Sequence, residues 1–215
     1  MAKEIEMKYR LSHPRALRQA LRRAGAIFLG SAVVRDEYFD TRGMDLLGAD
    51  SGLRLRCQRT VRHGEGGRHG GEGAILTYKG PADRTSRAKV RREVETAVEN
   101  PRALAELLGA LGFASTVLIE KRRSSYRLGR CTVEVDELPL LGAFVEIEGP
   151  SVRALTEAGE TLGLTGPGIR DHYVNLLRAR CKRIARSCRL VTPKACRNCE
   201  GPGGRKSETR GTKSK

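Results

Sequence analysis

The chain has 215 residues, of which 39% are hydrophobic and 31% are charged, a composition typical of one globular domain with an additional segment. No apolar run approaches the roughly 18 residues that a membrane-spanning helix needs. The amino terminus also lacks the basic and then apolar layout of a signal peptide. We therefore expect a cytoplasmic protein with no membrane partner.

The net charge of +16 is partly concentrated at the carboxyl end of the chain. Residues 181–215 contain 11 Lys and Arg against 2 Asp and Glu, whereas the residues before them contain 30 against 23. Periodicity is lost from about Cys188 onward, which predicts a disordered tail. The chain thus divides into a folded domain, residues 1–180, and a basic tail. Cys196 and Cys199 form a lone C-x-x-C there, for which incidental thiols are favoured over a zinc site.

Four helices are predicted from capping residues followed by apolar residues at helical spacing. Their starts are Ser12-Pro14, Asn100-Pro101, Ser151 and Asp171. The second helix carries four leucines that we expect on one core-facing side, namely Leu104, Leu107, Leu108 and Leu111. His172, at the start of the fourth helix, is interpreted as a capping or exposed residue.

Seven segments alternate charged and apolar residues with period two, the pattern of β-strands. The first is KEIEMKYRL, which places Glu4, Glu6 and Lys8 on one face and apolar residues on the other. The other six are GLRLRC, AILTYKGP, KVRREVETAV, LIEKRRSSYRL, CTVEVDEL and FVEIEG. Between the second and third lies a segment with six Gly in twelve residues, residues 62–73, which predicts a floppy hairpin tip.

The alternation has two interpretations. A sheet with one face on the core and one in water gives the same pattern. A sheet closed into a barrel would instead place the charges inside, because interior and exterior residues alternate along every barrel strand. The repetition of charged pairs over so many strands favours the barrel. Buried charges need partners, so this interior predicts a charged ligand.

The two signs of charge predict what that ligand is. Carboxylates suit a hard cation such as Mg²⁺ or Mn²⁺, whereas Lys and Arg suit phosphate oxygens. Together they describe a metal–polyphosphate complex. Glu4 and Glu6 would then face a metal and Lys8 a phosphate, while Ile5 and Met7 would face helices outside the barrel.

The segment EIEMK resembles the E-x-E-x-K signature of the CYTH superfamily, the triphosphate tunnel metalloenzymes. Six further segments resemble its class IV adenylate cyclase branch in the same order: DEYFDT, LRLR, LTYKGP, IEKRRSSY, LGAFVEIEG and DHYVNLL. The resemblance covers about Lys3 to Arg178. It implies an α+β fold with a closed eight-stranded antiparallel β-barrel, the triphosphate tunnel, and helices packed outside.

The same resemblance implies roles for individual residues and a requirement for Mg²⁺ or Mn²⁺. The implied catalytic residues are Lys8, Glu6 and Glu146. The implied metal-side carboxylates are Glu4, Glu6, Asp136, Glu146 and Glu148. The implied substrate-binding cations are Lys8, Arg54, Arg56, Lys79, Arg91, Lys121 and Arg123. By alternation Glu93, Glu95 and Glu134 also face the tunnel, without an assigned role.

The implied activity is that of a class IV adenylate cyclase, which converts ATP to cyclic AMP and pyrophosphate. The alternative is a triphosphatase that hydrolyses inorganic triphosphate, thiamine triphosphate or a nucleoside triphosphate. A third reading is a non-catalytic polyphosphate or nucleic-acid binder. The basic tail favours weak nucleic-acid contact, but the lack of an aromatic stacking platform and the paired acidic strands disfavour a nucleic-acid-binding function. The sequence leaves open whether the protein forms a homodimer.

Overall fold

The computed structural model describes residues 3–61, 72–83, 85–183 and 190–191. These ranges contain nine strands and five helices. The strands are β1 (Lys3–Leu11), β2 (Ile27–Asp40), β3 (Gly52–Val61), β4 (Glu72–Asp83), β5 (Lys89–Ala97), β6 (Ala114–Leu128), β7 (Cys131–Leu138), β8 (Gly142–Glu148) and β9 (Leu190–Val191). The helices are α1 (Pro14–Arg23), α2 (Asp45–Gly48), α3 (Pro101–Ala110), α4 (Val152–Thr161) and α5 (Tyr173–Arg183).

Eight of the strands form a closed antiparallel barrel, which confirms the predicted fold. Their order is β2-β3-β4-β5-β1-β8-β7-β6, and pairing of β2 with β6 closes the ring. This seam runs from the pair Ile27 and Arg127 to the pair Asp40 and Ala114. The first strand of the chain, β1, lies between β5 and β8, so both of its edges are paired within the barrel.

The period-two pattern predicts β1 and β3 to β8 but misses β2. The segment IFLGSAVVRDEYFD begins with three consecutive apolar residues, and Ile27, Phe28 and Leu29 are all exposed. Register shifts between Phe28 and Gly30, and again between Tyr38 and Phe39, interrupt the alternation of β2. A strand that carries two irregularities does not keep one side of its sequence on one face of the sheet.

The outward-facing side chains of the barrel pack under the helices, as the alternation predicts. Met7 on β1 lies in a buried cluster with Leu21 of α1 and Leu155 of α4. Leu55 on β3 packs with Leu108 of α3 in a second cluster. Since Met7 and Leu55 face outward, the charged residues next to them in sequence, such as Lys8 and Arg56, face the interior.

The helix predictions are confirmed at two starts and corrected elsewhere. Asn100 and Ser151 cap α3 and α4, where their side-chain oxygens accept hydrogen bonds from the backbone N–H three residues later. Ser12 is not the cap of α1, because His13 occupies that position without a side-chain cap. α5 begins at Tyr173, one residue later than predicted, so His172 rather than Asp171 directly precedes it.

The prediction that four leucines of α3 face the core is wrong for two of them. Leu104 and Leu108 pack on the barrel, whereas Leu107 and Leu111 are 54% and 67% exposed. A single short helix on the outside of a barrel covers it with a narrow stripe, so residues at the margin of an apolar face remain in solvent.

α5 packs against interior-facing residues at one end of the barrel. Phe144, which shares the inward face of β8 with Glu146, meets the ring of Tyr173 edge to face at 5.3 Å. Leu177 and Val117 belong to the same buried cluster. α5 therefore covers this end of the barrel, and its first turn contributes to the interior.

The carboxyl-terminal region is described only in part. α5 continues to Arg183, so the domain boundary predicted at residue 180 falls within a helix. β9, inside the predicted tail, pairs in parallel with Leu118 and Ile119 of β6. The remaining tail with Cys196 and Cys199, and residues 62–71 of the Gly-rich segment, lie outside the described residues. Among the helices that the structure describes, none is long and apolar enough to cross a membrane.

Candidate active site

The barrel encloses a cavity of about 280 Å³ with walls of both charges. Nine carboxyl side chains line it, from Glu4, Glu6, Asp36, Asp40, Glu93, Glu95, Glu134, Glu146 and Glu148. Seven basic side chains line it as well, from Lys8, Arg54, Arg56, Lys79, Arg91, Lys121 and Arg123. The interior is therefore charged as the alternation predicts, and every predicted site residue except Asp136 lies on the cavity wall.

The pairing of β1 with β8 builds the acidic side of the site. Glu6 lies opposite Glu148, and Lys8 lies opposite Glu146. The Lys8 ammonium is 3.1 Å from a Glu146 oxygen. Although burial opposes ionisation of Glu146, nearby Lys8 and the cations of β6 hold the pKa of its carboxyl well below its usual range. The signature strand thus contributes a lysine that is charged and fixed.

Negative charge is in excess where Glu4 and Glu148 lie. Glu4 accepts hydrogen bonds from Lys79 at 3.0 and 3.2 Å, yet burial and the neighbouring Glu93 and Glu6 raise the pKa of its carboxyl to about 9. Burial and then the charge of Glu134 raise the pKa of Glu148. Carboxyl groups that resist ionisation for this reason are stabilised when a cation joins them.

The residues present fit a hard divalent cation. Glu4, Glu6, Glu146 and Glu148 offer only oxygen ligands, which Mg²⁺ and Mn²⁺ prefer. Within the described ranges no group of three or more His, Cys, Asp or Glu is already arranged as a metal site. Instead three of these carboxyl groups form ion pairs: Glu4 with Lys79 at 3.0 Å, Glu6 with Lys89 at 3.2 Å and Glu146 with Arg123 at 2.8 Å.

Asp136 lies behind the cavity wall and holds its cations in place. It is fully buried and accepts hydrogen bonds from Lys121 at 2.7 Å, from Arg123 at 2.6 and 2.7 Å, and from the Tyr173 hydroxyl at 3.1 Å. Its oxygens are therefore occupied by three donor residues. The expectation that Asp136 is a metal-side carboxylate gives way to a role in positioning Lys121 and Arg123.

Asp36 is a site residue that the sequence analysis missed. It is 1% exposed and accepts two hydrogen bonds from Arg56, at 2.6 and 2.9 Å. Burial alone would raise the pKa of the Asp36 carboxyl. The Arg56, Arg54 and Lys121 cations outweigh this effect and hold that pKa well below its usual range. The residue lies in β2, the strand that the alternation did not reveal, although Asp36 and Tyr38 are two apart and both line the cavity.

The pH dependence of the free energy of unfolding should reveal the contribution of the ion pair between Asp36 and Arg56. Asp36 has a lower pKa in the folded than in the unfolded chain, so its ionised form stabilises the fold above about pH 4, and this contribution is lost as the pH falls. We expect Asp36→Asn to be less stable than the wild type by about 3 kcal/mol at pH 7. Below about pH 4 the difference should shrink by about 1.4 kcal/mol per pH unit. Urea unfolding between pH 7 and pH 3 checks this, and a constant difference would contradict it.

His172 holds the position directly before α5, where its carbonyl accepts the Leu176 N–H at 3.0 Å, but its side chain lies in the cavity wall between two cations and neither caps the helix nor is exposed. Its Nδ1 is 3.0 Å from the Lys89 ammonium, and its Nε2 is 2.8 Å from an Arg91 nitrogen. Burial and these two cations lower the pKa of His172 to about 2, so the imidazole is neutral. Lys89 was also missed, although it starts the segment KVRREVETAV with the same parity as Arg91.

Arg91 differs from the other cations of the wall. It is 3% exposed, and neither its Nε nor its NH1 has a hydrogen-bond partner among the described residues. None of the ion pairs in the described part of the chain includes Arg91. A buried guanidinium with unsatisfied donors is costly, so Nε and NH1 of Arg91 are available to donate to an anion.

Tyr173 at the start of α5 is a further site residue that the sequence analysis did not identify. Its ring lies 4.0 Å from the Lys8 ammonium and 4.8 Å from the Lys121 ammonium. The face of an aromatic ring attracts cations, so Tyr173 helps to hold two like charges near each other. Helical spacing could not reveal this contact, because it depends on which barrel end α5 covers.

The sequence and the fold both match known proteins. The CYTH domain model matches residues 2–163. A curated protein of Methanocaldococcus jannaschii that carries an adenylate cyclase name is 28% identical over 160 residues, which are 74% of this chain and 83% of that protein.

Solved structures share the fold. The PH1819 protein from Pyrococcus horikoshii is 27% identical with a TM-score of 0.65, and the match covers 82% of this chain and 99% of that one. An adenylyl cyclase-named protein from Hippeastrum, described as having a dominant triphosphatase activity, is 20% identical with a TM-score of 0.59, over 82% of this chain and 95% of that one. Because the family model spans most of the chain and all eight barrel strands, including the signature strand β1 in the cavity wall, this chain belongs to the CYTH family.

Proposed function

We propose that this protein is a divalent-metal-dependent enzyme that binds a triphosphate compound in the barrel cavity and converts ATP to cyclic AMP and pyrophosphate. The observation that carries the proposal is the buried Arg91 guanidinium, whose Nε and NH1 have no hydrogen-bond partner among the described residues, in a wall that is rich in other cations. Free buried donors of this kind are satisfied by phosphate oxygens.

The basic residues bind and orient the phosphate chain in this proposal. Lys8, Lys79 and Lys121 supply point charges, and Arg54, Arg56, Arg91 and Arg123 supply paired N–H donors. Glu4, Glu6, Glu146 and Glu148 would hold the metal. When bound, a divalent cation neutralises charge on phosphate oxygens. Lys8, Glu6 and Glu146 are the proposed catalytic residues, because they adjoin both the phosphate-binding and the metal-holding groups. Positioning and charge neutralisation are the main contributions a protein makes to phosphoryl chemistry.

Apolar residues on the same cavity wall favour a nucleotide over inorganic triphosphate. Phe39, Leu53 and Ile75 line the cavity together with Met44 and Leu47 from the α2 region. Ligand sites commonly combine an apolar wall with a few placed polar groups. An adenine ring could contact this wall while the phosphates reach the cations. The adenylate cyclase name of the Methanocaldococcus jannaschii relative supports the same choice of reaction.

A triphosphatase is the second candidate. The cations extend over most of the barrel strands, from Lys8 on β1 to Arg123 on β6. They could therefore bind a triphosphate chain with or without a nucleoside or another organic group attached to it. Hydrolysis then differs from cyclisation in which phosphorus lies near the metal and whether water or the 3′-oxygen attacks it. The triphosphatase activity described for the Hippeastrum protein makes inorganic triphosphate a necessary second substrate in the test. The nucleic-acid contact of the tail and a homodimer stay predictions.

Product analysis by chromatography tests the proposal. The purified protein is incubated with ATP, and separately with inorganic triphosphate, in the presence of Mg²⁺ or Mn²⁺. We expect cyclic AMP and pyrophosphate from ATP, and loss of both products in Glu6→Ala. The matched control is Glu106→Ala, because Glu106 is 70% exposed on α3.

Two other outcomes are informative. Orthophosphate without cyclic AMP would replace the cyclase by the triphosphatase. No turnover of either substrate by the wild type, with triphosphate still bound, would exclude both enzyme proposals for these substrates and leave a binding protein.

A further inference from the structure

Three carboxyl side chains lie near Arg91 on its own strand or the neighbouring one, yet the described part of the structure pairs it with none of them. Glu4 is its direct cross-strand neighbour on β1. Glu93 and Glu95 follow it on the inward face of β5. Each of these three has another partner: Lys79 holds Glu4 and Glu93, and Glu95 accepts a hydrogen bond from Thr77 at 2.7 Å. Arg91 is thereby left without a counter-charge.

His172 takes the place that a carboxylate would otherwise fill. An Arg nitrogen can only donate, so in the contact of 2.8 Å the Nε2 of His172 is the acceptor. A neutral imidazole has one acceptor nitrogen, so Nδ1 then carries the proton, and its contact of 3.0 Å with the Lys89 nitrogen is not a hydrogen bond donated by the ammonium. The ring is held neutral by burial and by the cations around it, which come from β5, β1 and β4 as Lys89, Arg91, Lys8 and Lys79. The only carboxylate in ion-pair range of the ring, within the described chain, is Asp50 at 4.0 Å. The histidine therefore accepts a hydrogen bond from Arg91 without cancelling its charge.

We propose that His172 is a positioning residue for Arg91: it accepts one guanidinium N–H and so keeps the charge and the other N–H groups of Arg91 free for an anionic group of the substrate. The inference rests on the proposed function, since it assumes a phosphate-bearing ligand in the cavity. An Asp or Glu at position 172 would form a paired, charge-assisted contact with the guanidinium and use its donors. Without an acceptor at position 172, the guanidinium would turn toward the carboxylates of β5 and β1.

Calorimetric titration with inorganic triphosphate in EDTA tests this role without turnover. A hydrogen bond to a charged group predicts that His172→Ala weakens binding by about tenfold. His172→Gln, whose amide oxygen can accept the same N–H, should stay within about threefold of the wild type. His172→Glu should bind as weakly as Arg91→Ala. The control is His13→Ala, because His13 is exposed and makes no capping hydrogen bond.

The double variant separates positioning from a merely structural role. If His172 acts through Arg91, adding His172→Ala to Arg91→Ala should not weaken binding further. Additive losses, or wild-type affinity in His172→Ala, would overturn the inference even if the wild type turns over ATP. Absence of triphosphate binding by the wild type both in EDTA and with Mg²⁺ present would overturn the proposed function instead.

A measurement without any ligand tests the role of His172 even if the wild type does not bind triphosphate. Nitrogen-15 NMR should show His172 neutral with an unprotonated Nε2 at pH 6, and Arg91→Ala should raise its pKa. A protonated His172 at pH 6 in the wild type would overturn the inference.

Discussion

Substitution of Glu146 by glutamine is expected to lower metal-dependent turnover of the protein's triphosphate substrate by about 100- to 1000-fold. Glu146 is the carboxylate that joins the two halves of the site. It pairs with Lys8 on β1 at 3.1 Å and with Arg123 on β6 at 2.8 Å. The neutral amide keeps a hydrogen-bond acceptor but removes the charge that a divalent cation requires. The loss should therefore appear in turnover more than in folding.

Steady-state rates at several Mg²⁺ and Mn²⁺ concentrations, together with the melting temperature, check this expectation. Higher metal concentration should restore part of the activity, because the remaining carboxylates still attract a cation. The matched control is Glu157→Gln on α4, whose side chain is 60% exposed and pairs only locally with Arg153. Turnover of Glu146→Gln within about threefold of the wild type would remove Glu146 from the proposed machinery.

Substitution of Asp136 by alanine is expected to lower the free energy of unfolding by about 3–5 kcal/mol. The change leaves Lys121 and Arg123, which are 1% and 6% exposed, without their main counter-charge. It also removes the acceptor of the Tyr173 hydroxyl. Two cations that repel each other inside a barrel destabilise the fold because desolvation is no longer offset.

Urea unfolding at pH 7 measures this effect. Asp136→Asn should fall between alanine and the wild type, since the amide oxygen still accepts a hydrogen bond. Glu137→Ala is the matched control, because it is the next residue of β7 and pairs with Arg18 at the surface. An exposed pair of that kind contributes less than about 1 kcal/mol. Equal losses for Asp136→Ala and Glu137→Ala would contradict the positioning role of Asp136.

Local patterns predict most of the barrel, because strand alternation and helix caps are properties of neighbouring residues. Asn100 and Ser151 each need only the residue three positions later, and the parity of Lys8 and Glu146 follows from their own strands. The sequence did not reveal β2, whose register shifts break the period. With that strand it missed Asp36, the partner of Arg56.

Contacts between distant elements could not be predicted in the same way. Parity places Asp136 inside the barrel, but only the packing of β6 and α5 shows that its oxygens are already occupied. The position of His172 depends on α5 covering one barrel end beside β5. Neither the contacts of Asp136 nor those of His172 produce a periodic pattern in the sequence.

The placement of β1 between β5 and β8 also has a consequence for synthesis on the ribosome. The strand that carries Glu6 and Lys8 emerges first, but its partners Glu148 and Glu146 lie near the end of the barrel sequence. Until β8 has left the exit tunnel, β1 lacks one of its two neighbouring strands. The pairing of β2 with β6 can form only shortly before that, because β6 emerges late as well. Such long-range pairings make folding slow. We therefore expect a nascent chain to complete its charged interior only after β8 has emerged, and shortened chains that end before β8 to have no partial activity.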